Sequence, residues 1–393
     1  MTPSSWLLAI YMMGALCGVG DLYVNEYKMP YTPAFWEPML VFMFTLLLFL
    51  LPFLTFNENC IKEIILPHKK ILDTSSTIII VLSFFAIFYF ISIVVRIFSM
   101  GDLGYLRDSR YGPQGEEFVE AGMMNTIASV SASLYVFAIL LFFIYSCIGG
   151  NKKRRLLLLA GSISEPLHIM AYVGRDGVVF WIFSFVFLFL LFRPYMPDIS
   201  VKSIKKTFVV AAIALLAPFL AITLSRFESS DMGTGGSIIS YMGQEFVNGP
   251  FYFAIDNPPR HPWGVFPLFR ELFGLKEPVS SGMITIGEWR SWGFGTFLVS
   301  FVSNFGYLGT YLLSIILILF FYITIGKRKK QLGFHNIIIY ILFFQVYSQG
   351  IFYFKQYTRG GNLFIVLCFV FAIIFRILIK MKKPIVISRI RGG

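Results

Sequence analysis

Apolar residues in this chain run in blocks of about 20, the length that crosses a bilayer as a helix, and short polar stretches separate the blocks. They fall near residues 4–21, 36–56, 76–99, 121–148, 155–173, 177–194, 206–224, 294–325, 336–355 and 361–380. The pattern predicts an all-α polytopic membrane protein of about ten transmembrane helices, forming one integral membrane domain over residues 1–393. The block at 294–325 is long enough for a tilted helix, or for a short entry helix followed by a span. Gly306 and Gly309 sit where such a break would fall. The stretch 225–291 joins two blocks and is predicted to be one large loop.

Composition agrees with the pattern. The chain is 57% hydrophobic and only 14% charged, whereas a soluble domain carries about 25% charged residues. The first block follows Met1 and Pro3 without a basic leader, so it is expected to be a retained span rather than a cleaved signal. The net charge of +12 does not point to nucleic acid, because the basic residues cluster between apolar blocks as cytoplasmic loops do. Cys17, Cys60, Cys147 and Cys368 fit neither a disulfide framework nor a zinc spacing. Histidine occurs only at 68, 168, 261 and 335, and no Walker, HExxH, CxxC or GxSxG motif is present. A zinc or ATP enzyme is therefore not expected, and no cofactor or metal is called for. Gly233-Thr234-Gly235-Gly236 lacks the GK[ST] ending of a phosphate loop.

Charge also sets orientation. Lysine-rich clusters such as Lys69-Lys70, Lys152–Arg155, Lys202–Lys206, Lys327–Lys330 and Lys380–Lys383 alternate with the blocks so that both termini are expected in the cytoplasm. The connections left outside carry mostly arginine: Arg96, Arg107, Arg110, Arg175, Arg226, Arg260, Arg270, Arg290 and Arg359, against Lys28, Lys276 and Lys355. Outward cations run against the orientation rule, and arginine grips phosphate bidentately. The first expectation is a phosphorylated ligand on the outer face. Arg107 and Arg110 lie in an acid-rich loop and are expected to be solvated or locally paired.

Several features sharpen it. Gly174-Arg175-Asp176-Gly177 must be a tight outer turn, with glycines relieving the backbone reversal. Before it, Gly161, Glu165, His168, Tyr172 and Arg175 share one helix face at spacings of three and four, and Pro166 is expected to kink that helix. Glu165 and His168 would lie within the membrane, where an ionisable residue marks either a functional site or a pair tying helices together. After Phe354-Lys355-Gln356-Tyr357, Thr358-Arg359-Gly360-Gly361 again sets a cation beside glycines. Within 225–291, Tyr241–Phe246 reads as a short amphipathic helix on the membrane surface. Phe251, Tyr252, Phe253, Trp263, Phe266, Phe269, Phe273, Trp289 and Trp292 are either interfacial anchors or a lid that stacks on sugar or lipid.

The layout of ten spans, a small outer turn at Gly174–Gly177 and one large outer loop resembles the O-antigen polymerases, the Wzy-type oligosaccharide repeat-unit polymerases. Tyr241 to Phe253, with Gly249-Pro250, resembles that family's loop segment. Phe297 to Tyr311, with Asn304-Phe305-Gly306-Tyr307-Leu308-Gly309, resembles its following span, although many relatives have an acid where this chain has Asn304. Acids near the first outer connection (Asp21, Glu26 and Glu37) resemble those of lipid-phosphate-sugar glycosyltransferases, without diagnostic spacing. The resemblance implies a metal-independent glycosyltransferase of the GT-C type in the cytoplasmic (inner) membrane. It would polymerise undecaprenyl-pyrophosphate-linked oligosaccharide repeat units into a surface polysaccharide, with lipid-linked donor and acceptor as partners, alongside a chain-length regulator and a flippase. On this reading Arg175, Arg226, Arg290 and Arg359 bind the pyrophosphate, and Glu245, Glu228 or Asp176 is the general base. An O-antigen ligase would share the fold with a different acceptor. A transporter or flippase would rely on Glu165 and His168, but no internal repeat of the kind transporters show is evident.

Overall fold

The computed structural model describes residues 1–24, 33–101, 105–106, 119, 122–227, 233–254, 262–276, 285–286, 289–290, 295–328 and 330–390. In chain order its main elements are α1 (Pro3–Val24), α2 (Pro33–Thr55), β1 (Glu63–Leu66), α3 (Lys69–Ser99), α4 (Met123–Ser133), α5 (Tyr135–Cys147), α6 (Lys152–Gly161), α7 (Ser164–Met170), α8 (Asp176–Phe192), α9 (Asp198–Phe227) and α10 (Gly233–Ala254). There follow α11 (Pro267–Leu272), β2 (Thr285–Ile286), β3 (Trp289–Arg290), α12 (Thr296–Thr324), β4 (Gln331–Gly333), α13 (Phe334–Gln349), α14 (Arg359–Met381) and β5 (Ile385–Ser388). Among the described residues, eight helical segments are long and apolar enough to cross a membrane. The protein is an all-α polytopic membrane protein. Proline at the first helical position starts α1, α2 and α11, where a missing N–H costs nothing.

Several expected spans differ from continuous helices. Residues 155–173 are broken at Ser162-Ile163 into α6 and α7. Pro166 explains the break: it has no N–H for the Ser162 carbonyl four residues back. The Ser162 hydroxyl accepts a hydrogen bond from the Trp181 indole at 2.9 Å. Of residues 336–355, the α-helix covers only 336–349, within the 16-residue α13, which is buried along nearly its whole length. The long block at 294–325 breaks at Gly306, where φ is 68° and ψ 178°, a region essentially reserved for glycine.

The stretch 225–291 departs most from expectation. Tyr241–Phe246 is no short surface helix; it belongs to the 22-residue α10, which packs along α1 and α2. Small residues make this possible, as they do at close helix crossings in membranes. A Cβ at Gly243 would run into the backbone of Cys17 and Gly18, and Phe246 lies over Gly14 and Gly18. Gly243→Val is expected to cost about 1–3 kcal/mol through overpacking, read as earlier thermal unfolding of the detergent-purified protein. Unchanged unfolding would mean that α10 does not need this approach.

One end of the bundle is tied by a small sheet of order β4-β1-β5. β1 pairs parallel with β4, Glu63 opposite Gln331, and antiparallel with β5, Leu66 opposite Ile385. The Ile390 N–H donates to the Pro194 carbonyl at 2.9 Å, and Arg154 pairs with Asp73 at 2.7 Å. Connections far apart in sequence thus meet at this end. The turns before α8 and α14 lie at the other ends of those helices, roughly 25 Å and 35 Å away at the helical rise of ~1.5 Å per residue.

Candidate functional site

Those turns surround a cavity of about 750 Å3, within the usual range of ligand sites. Its walls come from α4, the start of α5, α7, the turn before α8, Tyr241 of α10, the end of α13 and residues 353–361. The Gly174–Gly177 turn forms where expected, but its glycines act differently. The residue with positive φ is Val173, at 53°, an unusual state for a β-branched side chain. Gly174 and Gly177 instead leave room for Ile169: an added Cβ would stand 2.6 Å and 2.8 Å from its side chain. The turn is therefore pressed onto α7, which fixes Arg175 and Asp176 against the cavity.

Four charged side chains line this space. Lys355 donates to Glu165 Oε1 at 2.8 Å, and the other oxygen of Glu165 lies 3.1 Å from His168 Nδ1. The imidazole packs on Phe90, with ring centroids 4.7 Å apart. Asp176 Oδ2 accepts from the Tyr353 hydroxyl at 2.9 Å. Arg175, only 5% exposed, holds its guanidinium 4.5 Å from the centroid of the Tyr241 ring, a cation–π geometry. Lys355 lies in the connection between α13 and α14, outside the spanning helices. Burial pulls its pKa down, but the charges of Glu165 and Asp176 outweigh this and hold it above the ordinary lysine value. It is a cation at neutral pH.

Neutral hydrogen-bonding groups complete the wall. The Gln356 amide donates to Gln349 Oε1 at 2.7 Å, Gln349 donates to Gln345 Oε1 at 2.6 Å, and Gln345 donates to Ser184 Oγ at 2.7 Å. The Tyr135 hydroxyl also donates to Gln345, at 3.0 Å. Among the described residues no three His, Cys, Asp or Glu side chains are grouped as a metal site. Such a surface can offer amide and hydroxyl partners to a polyhydroxylated ligand and two cations to an anionic one. No family model, curated protein or solved structure matches the chain. Its function must be argued from the site.

The residues picked from sequence separate into three groups. Glu165, His168, Tyr172, Arg175 and Asp176 all line the cavity. Arg359 begins α14 beside the cavity-lining Gly360 and Gly361, but its own side chain is exposed and pairs with Glu271 at 2.7 Å. Glu245 is fully buried in α10 and is not among the cavity-lining residues, although Tyr241, one turn earlier, is. Arg226 lies in the last turn of α9 and Arg290 in β3; the side chains of both, and the whole of Glu228, lie outside the described residues. Glu26, Arg107, Arg110, Arg260 and Trp292 are outside them as well.

Several cavity residues carried no site role in the sequence reading: Lys355, Tyr353, Tyr241 and the glutamines. Gln345 and Gln349 did leave a signal, two amides four apart in an otherwise apolar run. In the aromatic segment, Phe266 packs on Phe305, and Asn362 Nδ2 donates to the Val265 carbonyl at 3.1 Å. Residues 262–272 are thereby anchored to α12 and α14, whereas Phe273 stays exposed.

Proposed function

We propose that this chain is a membrane glycosyltransferase that polymerises lipid-pyrophosphate-linked oligosaccharide repeat units at the outer face of the cytoplasmic membrane, without a metal. The observation that carries the reading is the cavity itself. A buried arginine and a partly buried lysine stand with two carboxylates among amides, hydroxyls and aromatic rings, a lining suited to sugars and a pyrophosphate together. In the proposed reaction an acceptor hydroxyl on one lipid-linked unit attacks the anomeric carbon of the growing glycan. The bond from that carbon to the pyrophosphate oxygen breaks, a glycosidic bond forms, and the lipid pyrophosphate leaves with the bonding electrons. Arg175 and Lys355 would oppose the charge that develops on the leaving group. Asp176 is the base candidate best placed to take the hydroxyl proton, because it lines the cavity and Glu245 does not.

The ten-span layout belongs to this proposal, with cytoplasmic termini and residues 225–291 on the outer side except where α10 packs along α1 and α2. It draws support from the sheet, which gathers three segments, 63–66, 331–333 and 385–388, that the charge rule puts on one side. An O-antigen ligase would use the same groups on a different acceptor.

A second reading is favoured by one contact set. Glu165 held between His168 and Lys355 also suits a proton-linked transporter or flippase. The deciding experiment supplies the purified protein with a synthetic undecaprenyl-pyrophosphate-linked repeat unit, chelator and no nucleotide. A ladder of repeat units supports the polymerase. Unchanged substrate, together with lipid movement across proteoliposomes that stops in Glu165→Gln, would establish the transporter instead.

A further inference from the structure

At the sheet end of the bundle, away from the large cavity, lies a second recess of about 450 Å3 between α3 and α14. Its floor is apolar: Phe137, Leu140 and Leu141 of α5, with Ile338 of α13. Its walls include Ile78 of α3 and Ile374 of α14, both exposed. One end differs. Lys70 and Lys382, both exposed, border the recess there. Their meeting follows from strand pairing. Leu66 of β1 faces Ile385 of β5; Lys70 stands four residues after the one and Lys382 three before the other. Among the described residues neither lysine takes part in an ion pair. Asp73, one turn beyond Lys70, is engaged by Arg154 at 2.7 Å.

Depth identifies the occupant. From Lys70 to Ile79, and from Lys382 to Phe371, the recess runs roughly 14–16 Å at the helical rise. That is about one leaflet of a hydrocarbon core ~30 Å thick. A solvent-filled groove of this composition would leave a large apolar surface exposed to water, but in a membrane its natural filling is a lipid tail. Two cations at one end select the head. Basic groups at the rim of an interhelical pocket are the arrangement that holds anionic lipid headgroups.

We propose that the recess between α3 and α14 is a binding site for one anionic phospholipid, its tail against Leu140, Leu141 and Ile338 and its phosphate between Lys70 and Lys382. The site does not depend on the glycosyltransferase reading. It would brace α3 against α14, the helix whose opposite end opens the large cavity.

Native mass spectrometry of the detergent-purified protein, titrated with phosphatidylglycerol or phosphatidylcholine, tests this. The wild type is expected to retain one phosphatidylglycerol beyond its phosphatidylcholine count. Lys70→Ala/Lys382→Ala is expected to weaken that binding about tenfold or more, as removal of two lysines from an anionic surface should. Leu141→Trp, which fills the floor, is expected to abolish it with both lysines intact. Matched elution profiles and unfolding temperatures show that both variants are folded. If Leu141→Trp unfolds, Ile78→Trp at the exposed wall takes its place. Equal retention of the two lipids by the wild type, or equal phosphatidylglycerol binding in wild type and the double-lysine variant, would overturn the site.

Discussion

Lys355→Met is expected to destabilise the protein by about 3–5 kcal/mol, because it leaves the Glu165 carboxylate buried without its cation. The Glu165 side chain is 5% exposed and the Lys355 side chain 19% exposed, so the carboxylate has little bulk water to fall back on. His168 remains 3.1 Å from the other oxygen and can compensate only when protonated, which requires another proton to enter a buried cluster. The double variant Glu165→Gln/Lys355→Met removes both charges, and replacing a buried pair together is often close to neutral. Thermal unfolding in detergent should therefore show a large loss for the single variant, on the order of 10 °C, and recovery in the double one. If the single variant unfolds with the wild type, the contact does not hold the fold together. The recovered double variant then separates structure from chemistry. On the polymerase reading it should be stable yet slow in chain growth, because one of the two cavity cations is gone.

What the sequence revealed of this molecule follows local rules. Run length marked the eight segments that are long and apolar enough to span, since a helix rises by a fixed amount per residue and the bilayer has a fixed thickness; the blocks at 155–173 and 336–355 are not among them. Pro166 announced its break and Gly306 lay at a break the run length allowed, because each acts on its own backbone. The turn at Gly174–Gly177 was legible as well, although its glycines serve packing against Ile169 and the strained φ falls on Val173. Partners distant in sequence were not legible. Glu165 and Lys355 are 190 residues apart, and no spacing rule joins them. Gly243 reads as part of a short surface helix until Cys17 and Gly18 are known to lie against it. A stretch with a proline and several glycines looks like a loop from inside, yet α10 is a helix because α1 and α2 cover it. Arg359 shows the converse. It shares the glycine-flanked setting of Arg175, but Glu271 happens to lie beside it and draws it to the surface.

Arg175→Ala is expected to stop chain growth, leaving single repeat units on the lipid while the protein still inserts. The charge balance at the site gives the reason. Arg175 and Lys355 match Glu165 and Asp176 in number, so loss of Arg175 leaves the carboxylates in excess around an incoming pyrophosphate. The loss should be greater than that of ground-state binding alone, because the leaving group gains charge as the glycosidic bond transfers; removing one preorganised donor of this kind typically costs about 10²–10³ in rate. Arg175→Lys keeps the charge but not the paired donors of a guanidinium and should fall between. Arg359→Ala should grow chains nearly as the wild type does, since its exposed pair with Glu271 contributes little. Comparing lipid-linked products from the three variants at equal membrane levels ranks these roles. Full-length chains from Arg175→Ala would remove this arginine from the reaction. The cavity would then be better explained by Glu165, His168 and Lys355 as a proton-linked transport site.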